Sequence, residues 1–375
     1  MHRNPELSFQ EVETSRFVYA TLESFGGLEL SRPTPTSVVA RLLGKEPGRT
    51  MALRADMDAL PIKEENDFEF ASRKPGVMHA CGHDGHTAML LGTAKILVGM
   101  REWIKGEVRF LFQHAEEQPP GGAEEMIEAG VLEGVDAVIG IHLSSDLPVG
   151  KIGIGYGPRG AAADTFEILV HGKGGHAARP HKVIDTVAIA AQVVTNLQHV
   201  VSRGADPLDS VVLSVTRIAG GTTHNVIPGL VEMEGTVRAL EEEAREKVAG
   251  TMERVIKGVT EAHGASYEFE YRRGYRPVVN DGEVTRVVEE IARGVFGEAA
   301  VEHTPPTMGS EDFSAFQQEV PGSFLSIGAR NEERGMIYPH HHPRFAIDED
   351  ALENGVRMFV YATFGLLGVG TRASA

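Results

Sequence analysis

Apolar residues recur along this chain with two periods, and the switches between them mark its elements. Over residues 6–25, Leu7, Val12, Phe17, Val18, Leu22 and Phe25 predict an amphipathic helix that stops at Gly26-Gly27. The run TMALR at 50–54 reads as a buried strand entering Ala55-Asp56-Met57-Asp58. A helix is expected over 87–100, opened by His86-Thr87. Residues 107–112 (EVRFLF) alternate as a strand and end at Gln113-His114-Ala115-Glu116-Glu117. Residues 135–141 are almost wholly apolar, a strand that ends at His142. Further on, 284–296 has helical spacing, 323–327 is a strand, and 348–364 is helical again.

Strands alternating with helices predict an α/β domain built on a mostly parallel central sheet. Ligands of such sheets bind beyond the carboxyl ends of the strands. Asp56, Asp58, Glu116, Glu117 and His142 all fall at predicted strand ends. The middle of the chain reads differently. A strand at 164–170 precedes a helix at 183–201 with Val187, Ala190, Val194, Leu197 and Val201 on one stripe. Strands at 210–218 and 230–239, a helix at 241–263 and a strand at 266–272 follow. The order is β-α-β-β-α-β, that of a ferredoxin-like α+β domain. The expectation is therefore two domains: a catalytic one made of 1–163 and 277–375, and an inserted one over 164–276.

Charge and composition narrow the function. The 375 residues hold 36 Lys and Arg against 53 Asp and Glu, a net charge of −17. This excludes a nucleic-acid binder held by a broad basic surface and argues against docking on an anionic membrane. Hydrophobic residues at 42% and charged residues at 24% are ordinary for a folded protein. One cysteine excludes an intrachain disulfide. No apolar run approaches the ~20 residues of a membrane span. The first residues are polar and carry no secretory signal, so a cytoplasmic protein is expected.

The densest chemistry lies in Met78-His79-Ala80-Cys81-Gly82-His83-Asp84-Gly85-His86-Thr87. Thiolate and imidazole are good ligands for zinc and similar metals. Cys81 and His83, two apart, can face one site from an extended loop. Any one histidine here reads first as a satisfied polar loop residue; the cluster is what points to metal. Glu116 and Glu117 diverge if the backbone is extended, so that one can bind metal while the other takes a proton. His142 and one of His340, His341 and His342 complete five candidate ligands with Cys81, His83 and Glu117. One tetrahedral zinc needs four at most, whereas five suit two metals ~3.5–4 Å apart. A water shared by such a pair loses a proton near pH ~7, with Glu116 as general base. In the middle domain, His176 lies in a glycine-rich turn and could donate to an oxyanion, and Arg238 could pair with a substrate carboxylate.

These motifs resemble amidohydrolases of the hippurate hydrolase and indole-3-acetyl-amino-acid hydrolase type, within the aminoacylase and carboxypeptidase superfamily. The similar stretches are HRNPELSFQE, MDALPI, GVMHACGHDGHTAMLLG, HAEEQPPGGAEEMIEAGVL, GIHL, GGHAARPH, THNVIPG, GTVRAL, MGSEDFS and HHPRF. The resemblance implies hydrolysis of N-acyl amino acids by two divalent ions (zinc, manganese, cobalt or nickel). It implies Cys81, His83, Glu117, His142 and His341 as ligands, and Glu116 as catalytic base. His341 is favoured because the family pattern is His-x-Pro. It further implies that the inserted domain is a lid through which homodimers or homotetramers form. His176, supplied by that lid, would stabilise the oxyanion, and Asn225 and Arg238 would hold the substrate. The chain departs from the pattern by starting later in the first helix. It also carries Asp56-Met57-Asp58 where the wider superfamily has His-x-Asp, so no ligand is assigned to Asp56. Asp58 is expected to orient a ligand from behind. Three rivals stand beside this reading: a metallo-dipeptidase or carboxypeptidase, a thiol hydrolase with Cys81 as nucleophile, and a silent metal-binding protein. The last leaves the spare Glu116 without a purpose.

Overall fold

The apolar runs near 50 and 107 lie side by side in the computed structural model, which describes residues 1–368. The first becomes β3 (Glu46–Asp56) and the second β4 (Lys105–Gln113), buried on both faces from Met51 and from Glu107 onward. They belong to an eight-stranded sheet with β1 (Glu29–Ser31), β2 (Val38–Leu43), β5 (Ala137–Pro148), β6 (Ile152–Ile154) and the strands Val301–His303 and Gly322–Arg330. The order is β1-β2-β4-β3-β5, then Gly322–Arg330, β6 and Val301–His303.

The sheet is mixed. Its centre is parallel, β4 with β3, β3 with β5, and β5 with Gly322–Arg330. The joins of β1 to β2, β2 to β4 and Gly322–Arg330 to β6 are antiparallel. The short link from β1 to β2 holds no crossover helix, and a pair so connected runs antiparallel.

Helix starts differ from expectation for local reasons. The first helix, α1 (Val12–Phe25), begins six residues later than the spacing suggests. Residues before it are held by tertiary bonds: Leu7 bridges Ala59, and the Ala59 N–H donates to the Glu6 carbonyl at 2.8 Å. The Glu6 carboxylate then accepts from the Thr14 N–H at 2.9 Å and its hydroxyl at 3.0 Å, serving the helix start. The second helix, α2 (His83–Gly99), begins four residues early, behind Gly82 at φ +90. That left-handed turn favours glycine and brings His83 into the first helical turn.

Helix α1 packs on α2, α2 on Asp350–Leu366, and the latter on Gly282–Phe296. They enclose one core with the sheet, including Leu22, Leu53, Leu90, Phe110, Ile139, Val288 and Phe359. A large side chain of this kind contributes about 1.5–3 kcal/mol through burial.

The chain divides into two compact units, the first made of Met1–Arg159, Val279–Pro305 and Glu311–Ala375, the second of Gly160–Val278 and Pro306–Ser310. The second unit carries strands Ala162–His171, Val211–Ala219, Leu230–Ala239 and Ser266–Arg272 with helices Thr186–His199 and Glu242–Ala262. Its sheet order is Val211–Ala219, Leu230–Ala239, Ala162–His171, Ser266–Arg272, antiparallel throughout. Phe166, Ile168, Val193, Leu197, Met233, Met252 and Ile256 fill its own core. Asp185 caps the first of these helices at the Val187 and Ala188 amides, so it starts at 186 rather than 183.

Candidate metal centre

Parallel register brings the polar residues level. Arg54 stands opposite Gly140 and Asp56 opposite Gln113. The side chains that follow, Asp58 after β3 and Glu116 and Glu117 after β4, therefore converge near His142 of β5. The strand expected to end at His142 does not stop there: β5 runs on to Pro148. Two backbone turns aim the carboxylates and the loop histidine. Ala115 has φ +52 and His341 φ +65. Left-handed backbone costs an L-residue roughly 1–2 kcal/mol, so surrounding contacts must hold both turns.

The ligand atoms form overlapping groups. Those of Cys81, His83 and His142 lie within 4.8 Å of one another, as do those of Cys81, Glu117 and His341, and those of His83, Glu116 and Glu117. The first two trios share Cys81. The Cys81 Sγ lies 3.5 Å from His142 Nε2, and Glu117 Oε1 lies 3.2 Å from His341 Nε2 and 3.8 Å from His83 Nε2. Of the three consecutive histidines, His341 joins the cluster. His340 accepts from the Ser145 N–H at 3.2 Å through Nε2, and the His342 ring stacks on Tyr338 at 4.5 Å.

Asp58 holds this arrangement from behind. It is buried, and its Oδ1 lies 3.1 Å from His83 Nδ1. Its Oδ2 accepts from the Glu117 N–H at 2.9 Å and the Ser8 hydroxyl at 2.7 Å. Burial alone would raise its pKa; the His83, Glu117 and Ser8 bonds override that and hold it below the usual carboxylate range. With Nδ1 fixed, His83 presents Nε2. That atom and Glu117 Oε1 are buried without a hydrogen bond of good geometry. Such buried, unsatisfied lone pairs are costly unless they bind something. An imidazole, a carboxylate and a thiolate so arranged fit divalent cations.

Electrostatics agree with that fit. Burial and Glu117 raise the Cys81 thiol, but the His142 and His83 imidazoles outweigh both and hold it well below its ordinary value. Burial lowers His142, yet Cys81 and Asp56 bring it up to about 9. Cys81 and Glu117 close beside it raise His341 to about 10. Burial, then Glu311, Glu117 and Asp312, pushes the Glu116 carboxyl well above the usual range. The centre holds positive charge tightly, as protons or as cations.

Several members were not foreseen. Arg54, fully buried, donates to Asp56 at 2.6 Å, to Glu311 and Asp312 at 2.9 Å each, and to Gln113 at 2.7 Å. Gln113 in turn donates to Asp312 at 2.6 and 2.8 Å. His86 Nδ1 lies 2.6 Å from Asp56, and its Nε2 accepts from the Leu143 N–H at 2.9 Å. One signal was available for Arg54: a charge inside the otherwise apolar TMALR run.

The remaining predicted residues lie in the second unit. His176 pairs with Val226 in a two-stranded ladder, and the neighbouring Asn225 carbonyl accepts from the Ala177 N–H at 3.0 Å. Both are exposed. Arg238 stands opposite Val212 and Ala163 in the four-stranded sheet, half-buried, which lowers its pKa.

A thiolate, imidazoles and paired carboxylates converging at the ends of parallel strands define a metal-dependent hydrolase centre. The chain belongs to peptidase family M20/M25/M40, whose model matches residues 52–363. It is 68% identical over 280 residues to an N-acyl-L-amino acid amidohydrolase of Geobacillus stearothermophilus, covering 75% of this chain and 76% of that one. It is 46% identical over 358 residues to thermostable carboxypeptidase 2 of Saccharolobus solfataricus, covering 95% and 90%. Among solved structures, a dinuclear metal binding peptidase of the M20 family from Bacillus subtilis superposes with a TM-score of 0.86 at 40% identity, covering 98% and 96%.

Proposed function

We propose that this protein hydrolyses the amide bond of N-acyl amino acids to a carboxylic acid and a free amino acid, using two divalent cations. The observation that carries this reading is the pair of donor trios sharing Cys81, with Glu116 beside them as an extra buried carboxylate. Cys81, His83, Glu117, His142 and His341 hold the cations, drawn from zinc, manganese, cobalt and nickel. When bound, the cations supply a Lewis acid and lower the pKa of water. Glu116 takes a proton from the attacking water and delivers it to the leaving nitrogen.

Residues 1–163 and 277–375 are the catalytic domain in this reading. Residues 164–276 form a ferredoxin-like lid through which a homodimer or homotetramer assembles. His176 on that lid donates to the oxyanion, while Asn225 and Arg238 hold the substrate, Arg238 at its carboxylate. The similarity to an amidohydrolase at 68% identity favours acyl amino acids. The similarity to a carboxypeptidase at 46% makes peptides the second reading. A cytoplasmic location belongs to the same reading, and fractionation tests it. Among the described residues no helix is long and apolar enough to cross a membrane.

The test is a panel of acetyl, benzoyl and indoleacetyl amino acids and dipeptides, given to metal-stripped protein with each cation restored in turn. Activity only with metal and mainly on acyl amino acids supports the proposal. Activity on dipeptides alone moves the assignment to the peptidase. Activity indifferent to stripping contradicts the metal mechanism and makes Cys81 the nucleophile.

A further inference from the structure

The stretch PELSFQE near the start of the chain is not accounted for by the chemistry above. Its structure is unusual. Glu11 sits at the N-cap of α1 but makes no capping bond; Glu6 bonds the Thr14 amide of the first turn instead. The Glu11 side chain turns inward and is wholly buried. Its Oε1 accepts from the Phe9 N–H at 3.0 Å and, 104 residues away, from the Ala115 N–H at 2.8 Å. Phe9 has φ +64 and Ala115 φ +52. The only other non-glycine residue of positive φ among the described residues is His341. One carboxylate oxygen thus ties down two strained turns, and the second leads directly into Glu116 and Glu117. Three residues before Glu11, the Ser8 hydroxyl donates to Asp58, which bonds His83 and the Glu117 amide.

We infer that residues 6–11 act as a two-point clamp on the metal centre, with Glu11 and Ser8 as positioning residues for hydrolysis. Ser8 acts through Asp58 on the ligands His83 and Glu117. Glu11 acts through Ala115 on the direction of Glu116. An alanine at φ +52 relaxes toward right-handed backbone once its amide is released, and the two carboxylates after it swing with the turn. Keeping a carboxylate where burial pushes it up to about 7 is costly, and a helix start already served by Glu6 gives no reason for it. The clamp rests on the proposed role of Glu116, but its geometry can be read without turnover.

The experiment compares Glu11→Ala, Glu11→Gln and Ser8→Ala in the metal-loaded protein. Three quantities are measured: kcat and KM on the best acyl amino acid, cation stoichiometry and affinity by calorimetry, and hydrogen exchange of the peptide spanning 113–118. Glu11→Ala is expected to lower kcat by about 10- to 100-fold with KM within threefold and two cations still bound. Exchange at 113–118 should rise about tenfold. Glu11→Gln keeps the acceptor oxygen and should recover most of both losses. Ser8→Ala should weaken cation affinity about tenfold, the scale at which groups behind a ligand act. Glycine adopts φ +52 freely, so Ala115→Gly should shrink the effect of Glu11→Ala. The clamp is overturned if Glu11→Ala leaves exchange at 113–118 unchanged, or if Glu11→Gln is as impaired as Glu11→Ala. If the parent hydrolyses nothing in the panel, the functional reading fails by itself. Exchange and calorimetry still decide the clamp.

Discussion

Each unit holds an arginine almost wholly buried among acids, Arg54 in the first and Arg245 in the second, and the two differ in how the charges close. In the second unit, Arg245 meets Asp164 at 2.5 and 2.8 Å and donates to the Gly274 carbonyl at 2.9 Å. Asp164 also accepts from the Tyr271 hydroxyl at 2.7 Å and the Gly274 amide at 3.0 Å. One buried cation faces one buried anion, and the partners are complete. In the first unit, Arg54 faces Asp56, Glu311 and Asp312 at once, with Glu116 close behind. One guanidinium faces four carboxyl groups, of which Asp56 is shared with His86, and nearby His83 Nε2 and Glu117 Oε1 make no hydrogen bond of good geometry. The closed pair is architecture. The crowded cluster is where further positive charge can be accommodated, and that sets the candidate centre apart.

Replacing each arginine tests this contrast most strongly. Arg54→Met and Arg245→Met should both destabilise by about 3–5 kcal/mol, since each strands buried acids. Added divalent cation should restore a substantial part of the loss in Arg54→Met and little of it in Arg245→Met, as read by Tm with and without metal. Equal rescue of both would erase the distinction.

A milder change in the first unit is Asp58→Asn, which weakens the hold on His83 and the Glu117 amide. Cation affinity should fall about 10- to 100-fold by calorimetry, with the fold intact by circular dichroism. Glu11 gives a pH signature. Its folded pKa of about 7 is above its ordinary 4.5, so its contribution is fully present below 4.5 and is lost as pH rises toward 7. Glu11→Gln does not titrate. Its stability relative to the parent should therefore improve between pH 4.5 and 7, by up to about 1.4 kcal/mol per unit, and level off above. Denaturant melts at pH 4.5, 6 and 8 read this directly. The smallest effect belongs to the closed pair: Tyr271→Phe removes one bond to Asp164 and should cost about 1.5 kcal/mol, independent of metal.

The two regions also differ in how legible they were. The strands and helices of the second unit follow one another with clean periodicity, and their order along the chain is readable as it stands. In the first unit, the strand-end positions of Asp58, Glu116 and Glu117 and the His83 cluster were visible, because parallel strands deliver polar residues at their carboxyl ends. The partners that complete the centre come from far along the chain. Glu311 and Asp312 reach Arg54 across more than 250 residues, and Glu11 reaches Ala115 across 104. Neither contact leaves a periodic trace. The strand Val38–Leu43, second from one edge of the sheet, escaped notice because VVARLL carries no distinctive alternation, and its antiparallel pairing with β1 depends on a short link rather than on composition.

The most direct test joins cation count and turnover in one sample of Glu116→Gln. Glutamine keeps the shape of the side chain and cannot take the proton. The account predicts two cations per chain, as in the parent, with kcat lower by about 10²- to 10⁴-fold. Turnover near that of the parent would contradict Glu116 as the base, and loss of a cation would make it a ligand instead.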